Sequence, residues 1–270
     1  ALAHGIRQSH GEIIVTADSD TFLGKESLHY LIRPFQDERV AGVTGHTYVR
    51  NRDKNLLTKM QTGLYFYAYR VVRSFEAMFG TVLCLPGTLS AFRKTCILQV
   101  LDEWQSARPF IGEDRHLTYL MLRQGYKTVY VKDAECETIV PETLRVYLSQ
   151  QIRWAKGYLI ETFRGCQYMF KRHPIIAFSY YTQYLLTLYL PLAIIRIFIL
   201  LLTISPYWWT YFTFVGIAFF AKALYSCHTS KDRSCWAMSM FLMMNLLMNA
   251  WRIPVALLTI SEKTRWTRQS

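Results

Sequence analysis

Long apolar runs in the last hundred residues limit most strongly how this chain can fold. Three stretches, at 184–204, 207–225 and 236–260, have about the length of a helix that crosses a bilayer. Residues 171–270 carry 10 Lys and Arg but only 2 Asp and Glu, whereas residues 1–170 carry 21 and 17. The chain therefore divides into a nearly charge-balanced domain at 1–170 and an apolar, basic membrane domain at 171–270.

The basic residues predict how the apolar stretches are oriented. Lys171 precedes the first stretch, and Lys222 and Lys231 follow the second, so both ends of this helical hairpin are expected at the cytoplasmic face. If 236–260 also spans, Lys263 lies outside; if it is an interfacial helix, Lys263 stays inside. Both readings remain open, and the charge favours the interfacial one.

The composition excludes several classes of protein. A content of 51% hydrophobic and 15% aromatic residues excludes a disordered chain. The 6 cysteines show no Cys-x-x-Cys pair, which excludes a small disulfide scaffold and predicts reduced thiols. The net charge of +12 is not concentrated in a basic stripe, so no nucleic-acid partner is expected.

Strand and helix patterns alternate in the first 170 residues. Strand-like runs lie at 12–17, 40–49, 82–92 and 127–132, and helical patterns lie at 28–35, 55–79, 115–125 and 143–170. This alternation predicts a layered α/β domain. The short apolar run at 12–17 is typical of a buried strand in a parallel sheet.

Two acidic groups are candidates for chemistry. Asp18 and Asp20 follow the first strand, at the sheet edge where ligands collect, and can bind a divalent cation or a ribose. From these residues alone, a polar turn between strand and helix is the favoured explanation. Glu113 and Asp114 precede a helix, where acids balance the helix dipole, or where one can serve as a general base.

Two further groups could hold a substrate. Gln150 and Trp154 share a helical face with Arg153 beside them, so the Trp could stack on a sugar and the Arg could hold a phosphate. Membrane-surface anchoring explains the same residues. The turn at Gly87 and Thr88 would let a substrate approach the backbone, although a plain hairpin turn also fits.

Three polar residues interrupt apolar or helical patterns. His116 lies one turn into the helix after the acidic pair and is expected to be structural. Arg196 and Arg252 lie inside apolar stretches, where a lone charge is costly, so each should face a polar cavity or another helix.

The order of these motifs carries a resemblance. Asp-x-Asp, a Gly-Thr turn, Glu-Asp, Gln-x-x-Arg-Trp and then membrane helices resemble the processive family 2 glycosyltransferases, which include hyaluronan, chitin and cellulose synthases and the nodulation chitooligosaccharide synthases. Residues 17–21 and 112–118 are most similar to the hyaluronan and nodulation branch. The resemblance covers nearly the whole chain.

The resemblance implies a partial GT-A-like, Rossmann-like catalytic domain followed by α-helical membrane segments. On the donor side, Asp20 would ligate Mg²⁺ or Mn²⁺, with Asp18 and Ser19 near the metal and the nucleotide. On the acceptor side, Asp114 would be the general base and Glu113 its neighbour.

The remaining substrate-binding roles also follow from the resemblance alone. The substrate-binding residues would be Gly87 and Thr88 in the acceptor-side turn, Gln150, Arg153 and Trp154 at the diphosphate and acceptor sugar, and Trp266 and Arg268 in a gating segment.

The implied function is a processive, inverting β-glycosyltransferase embedded in the plasma membrane with a cytoplasmic catalytic domain. It would use UDP-GlcNAc, with UDP-GlcA as a second donor, to elongate and secrete a hyaluronan- or chitin-type polysaccharide. The family's first nucleotide-binding half and N-terminal helices are not matched, which suggests the later part of a longer enzyme. A non-processive transferase acting on a lipid and a transporter subunit with a soluble domain remain alternatives.

Overall fold

The computed structural model describes residues 2–107, 111–202 and 251–260, with 209–210, 213–214, 216–217, 221 and 248 between them. Trp266, Arg268, Cys227, Cys235 and most of the second and third apolar stretches lie outside the described residues. The chain forms two compact units. The first comprises Ala1–Asn51, Tyr65–Val140 and Lys156–Tyr180, and the second comprises Arg52–Leu64, Pro141–Ala155 and Tyr181–Ser270.

The first unit is built on a mixed sheet. Its strands in the described chain are β1 (Ile13–Thr16), β2 (Phe22–Leu23), β3 (Val40–Val49), β4 (Ser90–Arg93) and β5 (Lys127–Thr138), in the order β1-β4-β3-β5-β2. Strands β3 and β5 are parallel, whereas β4 is antiparallel to both β1 and β3. The predicted α/β class is confirmed.

The expectation that the first strand is buried in a parallel arrangement is wrong. Strand β1 pairs antiparallel with β4, placing Ile13 opposite Arg93. Ile14 is buried, whereas Val15 is exposed, so the strand is only partly covered by the rest of the unit. A short apolar run carries no information about its partner, because strand pairing is a long-range contact.

Helices flank the strands along the chain. They are α1 (Leu2–Gln8), α2 (Ser27–Ile32), α3 (Leu56–Phe66), α4 (Ser74–Met78), α5 (Lys94–Ser106), α6 (Glu113–Arg123), α7 (Leu144–Gly165) and α8 (Pro174–Leu202). Short 3₁₀ turns occupy Arg33–Gln36 and Met169–Lys171. The helix predicted at 115–125 is α6, and its Gly stop is Gly125, where φ is +90°.

Two buried apolar clusters lie on opposite faces of the sheet. Phe92 belongs to the cluster that contains Ile97 and Met121 from α5 and α6. Its neighbour Ala91 belongs to the cluster that contains Leu31 from α2. Successive strand side chains point to opposite faces, so each face of the sheet has its own core.

The helix predicted at 55–79 is interrupted by a wide turn. Between α3 and α4 the backbone is π-helical over Tyr67–Arg73, and the amide of Ser74 reaches back to the carbonyl of Tyr69. Tyr69 is almost completely buried, whereas Leu56, placed on the predicted apolar face, is exposed. The inserted residue of a π turn shifts the helix face, which a constant period does not anticipate.

Within the strand-like run at 82–92, only the residues from Ser90 onward form a strand. The prediction of a strand over this run is therefore largely wrong. Pro86 lacks an amide donor for a sheet. Upstream, the Leu83 amide donates to Glu76 Oε2 over 3.1 Å, and the Leu85 amide donates to Thr118 Oγ1 over 3.0 Å. Side chains therefore satisfy the backbone of this segment in place of a strand.

Helix α8 contains most of the first predicted span and begins ten residues before it, at Pro174. Pro191 lies within this helix. No helix in the described part of the chain combines the length and the hydropathy of a membrane crossing. The predicted membrane segments therefore stay a prediction.

Candidate active site

Asp18 and Gly87 come from separate motifs and meet in the first unit. Asp18 follows β1 in an exposed turn, where its carbonyl accepts a hydrogen bond from the Thr21 amide over 3.0 Å. A Cβ added to Gly87 would lie 2.7 Å from Asp18 Oδ1. The absence of a side chain at Gly87 is thus what allows the Asp18 carboxylate to approach this backbone.

Asp20 and Ser19 lie in the same exposed turn as Asp18. Burial is the main cause that raises the pKa of Tyr65, and neighbouring Tyr69 and the charges of Asp20 and Asp18 raise it further. The charges of both carboxylates of the Asp-x-Asp motif therefore reach the hydroxyl of Tyr65.

The donor set suits a shared divalent cation. Asp18 and Asp20 offer hard oxygen ligands at the end of a strand. The described residues contain no group of three or more His, Cys, Asp and Glu that could hold a metal. Two carboxylates completed by phosphate oxygens and water are typical of Mg²⁺ sites with nucleotide substrates. The residues fit a cation held jointly with a diphosphate.

Thr88 is held by two hydroxyl groups that sequence reasoning missed. Its Oγ1 lies 2.9 Å from Thr47 Oγ1 and 3.2 Å from the hydroxyl of Tyr69. Thr47 also donates to Tyr69 over 2.8 Å, which closes a triangle of hydroxyls. Tyr69 could not be found from helical spacing because the π turn alters which side chains point inward.

Asp114 lies at the start of α6, where acids were expected. Its Oδ1 accepts the Arg115 amide over 2.7 Å, and its Oδ2 lies 3.6 Å from the thiol of Cys84. Its carbonyl accepts the Thr118 hydroxyl over 2.7 Å. The carbonyl of Glu113 accepts the indole N–H of Trp104 over 2.8 Å. Asp114 thus places a negative charge in the first turn of α6, and its carboxylate is oriented by an amide and a thiol.

Gly112 sets the path of the chain into α6. Its φ of +76° lies in the left-handed region, and an added Cβ would lie 3.0 Å from the Cα of Gly157. The beginning of α6 thus packs directly against the backbone of α7, and this close approach fixes where Asp114 emerges.

A buried polar network behind Asp114 was not anticipated. Burial raises the pKa of Glu76 to about 7, while the Leu83 amide and the positive charges of Arg73 and Arg115 limit that rise. Burial, followed by the charge of Asp114, raises the pKa of Cys84 to about 12. Cys84 is therefore a neutral thiol near pH 7 that contacts Asp114, where the sequence predicted only a reduced thiol.

His116 has the structural surroundings expected of it. Its Nδ1 lies 2.6 Å from Oε2 of buried Glu161, which also accepts a hydrogen bond from Arg164. None of the described cysteines, Cys84, Cys96, Cys136 and Cys166, forms a disulfide.

Gln150, Arg153 and Trp154 lie on α7 in the second unit. Gln150 and Arg153 are half-buried, and Trp154 is 39% exposed. Their roles stay predictions, as do those of Trp266 and Arg268. Arg252, however, donates to Oε1 of Gln151 over 2.5 Å, so this arginine faces another helix as expected.

Two family models match the chain. One, described as "Glycosyltransferase like family 2", matches residues 1–157. The other, described as "Chitin synthase", matches residues 104–249. Each covers more than half of the chain.

Curated relatives agree with the family models. An N-acetylglucosaminyltransferase of Rhizobium meliloti (strain 1021) is 33% identical over 211 residues, which are 76% of this chain and 50% of that protein. An N-acetylglucosaminyltransferase of Neorhizobium galegae is 38% identical over 162 residues, 58% of this chain and 37% of that protein. The chain spans about half or less of the length of these relatives.

A solved structure is similar in fold. The mannosyltransferase PcManGT from Pyrobaculum calidifontis, in complex with GDP-Man and Mn²⁺, matches with a TM-score of 0.58 and 18% identity, over 96% of this chain and 65% of that chain. The expected GT-A-like fold is confirmed, and so, at the level of the family, is the class of hexose-transferring enzyme. The chain belongs to the glycosyltransferase family 2, with a chitin synthase region in its second half.

Proposed function

We propose that this chain is part of a membrane-embedded, processive, inverting β-glycosyltransferase that elongates an N-acetylglucosamine-containing polysaccharide from UDP-sugars. One observation carries the proposal: within the first unit, contacts connect the Asp-x-Asp turn, the Gly87-Thr88 turn and Asp114. Asp18 meets Gly87, and Thr88 contacts Tyr69, whose ring lies under Arg73. Arg73 donates to the carbonyl of Cys84, and the thiol of Cys84 contacts Asp114. These contacts support a single site for the donor-side and acceptor-side motifs.

Asp114 is proposed to take the proton of the acceptor hydroxyl. That hydroxyl oxygen forms a bond to the anomeric carbon of the donor sugar as the bond from that carbon to the diphosphate breaks. Oδ1 of Asp114 is held by a backbone amide, and Oδ2 is contacted by a thiol, which is a weak donor. Oδ2 can therefore accept the proton in a fixed position.

Asp18 and Asp20 are proposed to hold Mg²⁺ or Mn²⁺ together with the diphosphate, and Ser19 lies beside them. A bound divalent cation would supply stabilisation of the negative charge that develops on the leaving UDP. Gly87 leaves room for the carboxylate of Asp18. The hydroxyls of Thr47 and Tyr69 fix the orientation of the Thr88 hydroxyl.

The substrates are proposed from the relatives. Both named relatives are N-acetylglucosaminyltransferases, which supports UDP-GlcNAc as a donor and a growing oligosaccharide as acceptor. The chitin synthase match supports a polymer of the chitin type, and UDP-GlcA would be the second donor if the polymer is hyaluronan. Gln150, Arg153 and Trp154 would contact the diphosphate and acceptor, and Trp266 and Arg268 would close over the nucleotide.

Membrane embedding is proposed from the apolar stretches and from α8. The large apolar side chains of Leu185, Leu192 and Ile195 on this helix are all more than half exposed. Such surface is suited to lipid. We place the protein in the plasma membrane, with the catalytic domain cytoplasmic and the polymer secreted.

The test uses the intact protein in membranes, supplied with Mg²⁺ or Mn²⁺ and UDP-GlcNAc, with and without UDP-GlcA. A long product made from UDP-GlcNAc alone and cut by chitinase identifies a chitin-type polymer. A product that needs both donors and is cut by a hyaluronan-specific lyase identifies a hyaluronan-type polymer. Addition of a single sugar to a lipid would contradict processivity, and no sugar transfer at all would contradict the proposed function.

A further inference from the structure

Arg73 occupies the end of the π turn and touches two parts of the proposed site. Its Nε donates to the carbonyl of Cys84 over 3.3 Å. Its guanidinium carbon lies 4.0 Å from the centre of the Tyr69 ring, in a cation–π contact. The side chain is half-buried, and none of the sequence motifs includes it.

The contact with Cys84 leads to Asp114. The thiol of Cys84 contacts Oδ2 of Asp114. The amide of the next residue, Leu85, donates to Thr118, whose hydroxyl donates to the carbonyl of Asp114. Two consecutive residues thus hold both the side chain and the backbone of Asp114, and Arg73 fixes the first of them.

The contact with Tyr69 leads to Thr88. The Tyr69 hydroxyl lies 3.2 Å from Thr88 Oγ1, and Thr47 contacts both groups. The planar guanidinium lies over the ring of Tyr69 and limits the positions that this hydroxyl can take. Arg73 therefore connects the acceptor-side turn to the proposed base.

Glu76 completes the attachment on the following turn of helix. This buried carboxylate accepts the amide of Leu83, the residue before Cys84. Arg73 and Glu76 thus hold adjacent residues of one irregular segment, Arg73 through the carbonyl of Cys84 and Glu76 through the amide of Leu83.

We infer that Arg73 is a positioning residue that holds Asp114 and Thr88 in register for transfer to the acceptor. The inference rests on the proposed function, because it assigns Arg73 to the acceptor side of that reaction. The contacts of Arg73 with Cys84 and Tyr69 lead to Asp114 and Thr88, so we expect transfer to the acceptor to depend on Arg73 more than donor binding does.

The test compares Arg73→Met and Arg73→Lys in the intact protein. For Arg73→Met we expect kcat for sugar transfer to fall roughly 10- to 100-fold, the size of a small misplacement of reacting groups, while KM for UDP-GlcNAc stays nearly unchanged. Arg73→Lys keeps the charge and a donor for Cys84 but loses the planar stacking group, so its kcat should be intermediate.

Arg70→Met is the matched control. Arg70 lies on the same π turn but donates to the hydroxyl of Tyr48, on the exposed side. The Arg70→Met protein should keep the kcat of the natural protein. An unchanged kcat in Arg73→Met, or a parallel change of kcat and KM that follows the loss of folded protein, would overturn the inference.

A second measurement separates this inference from the proposed function. Alkylation of Cys84, followed by mass spectrometry of the native protein, should be several-fold faster in Arg73→Met, because the segment loses an attachment. Cys96, a buried residue of α5, should keep its rate. Equal acceleration of both cysteines, or of neither, would contradict the role of Arg73 even if the natural protein transferred no sugar.

Discussion

Gly87 shows how a single residue without a side chain can join two motifs. The Asp-x-Asp turn and the Gly-Thr turn were both identifiable from residue type and spacing. Their contact was not, because it depends on the antiparallel pairing of β1 with β4, which brings Thr16 opposite Ser90. The two motifs could therefore be located from the sequence, whereas their proximity required the fold.

Gly87→Ala tests this proximity. The added methyl group would lie 2.7 Å from Asp18 Oδ1, so the carboxylate must move. Because Asp18 is a proposed metal ligand, its displacement should raise the concentration of Mn²⁺ needed for half-maximal transfer several-fold, with little loss of stability. Metal titrations of activity measure this.

The control for that variant is Gly5→Ala. Nothing lies within 4 Å of a Cβ at Gly5, which is in α1. Its metal dependence should match that of the natural protein. Identical titration curves for Gly87→Ala and Gly5→Ala would show that Gly87 and Asp18 do not share a site.

At the scale of elements, the sequence predicted the existence of α6 and β3 well and the π turn not at all. The acids at the start of α6 and the Gly that follows its end are local signals, as is the β-branched run of β3. The π turn at Tyr67–Arg73 has no such signal, since a constant helical period passes through it. Tyr69 and Arg73 were missed for this reason.

The start of α6 can be tested with two glycines of similar backbone conformation. Gly112 and Gly125 have φ of +76° and +90°, so alanine at either should cost roughly 1–2 kcal/mol of backbone strain. Only at Gly112 would the Cβ also meet another backbone, at 3.0 Å from Gly157.

Gly112→Ala should therefore lower the free energy of unfolding, measured with denaturant, more than Gly125→Ala does. It should also lower kcat, because Asp114 is displaced. Gly125→Ala should lose stability alone. Equal kcat values for the two variants, measured on the folded fraction, would argue against a role for this helix start in placing Asp114.

At the scale of the whole molecule, the described chain contains an α/β unit, and its last hundred residues are apolar and basic. The charge asymmetry predicts a catalytic domain at 1–170 and a membrane domain at 171–270, and this division stays a prediction. Side chains on α4 and α6, Glu76 and Thr118, accept hydrogen bonds from the irregular segment before Gly87 in place of a neighbouring strand. These hydrogen bonds could not be predicted, because they join separate elements of the fold.

Replacing Asp114 by Asn in the intact protein tests the central claim most directly. Asn keeps the shape of the side chain and can still accept the Arg115 amide, but it cannot take a proton from the acceptor. We expect sugar transfer to fall by roughly 10²- to 10⁴-fold while UDP-GlcNAc binding is retained. Asp20→Asn, in contrast, should weaken metal-dependent donor binding. An Asp114→Asn protein that transfers sugar at the natural rate would contradict the account.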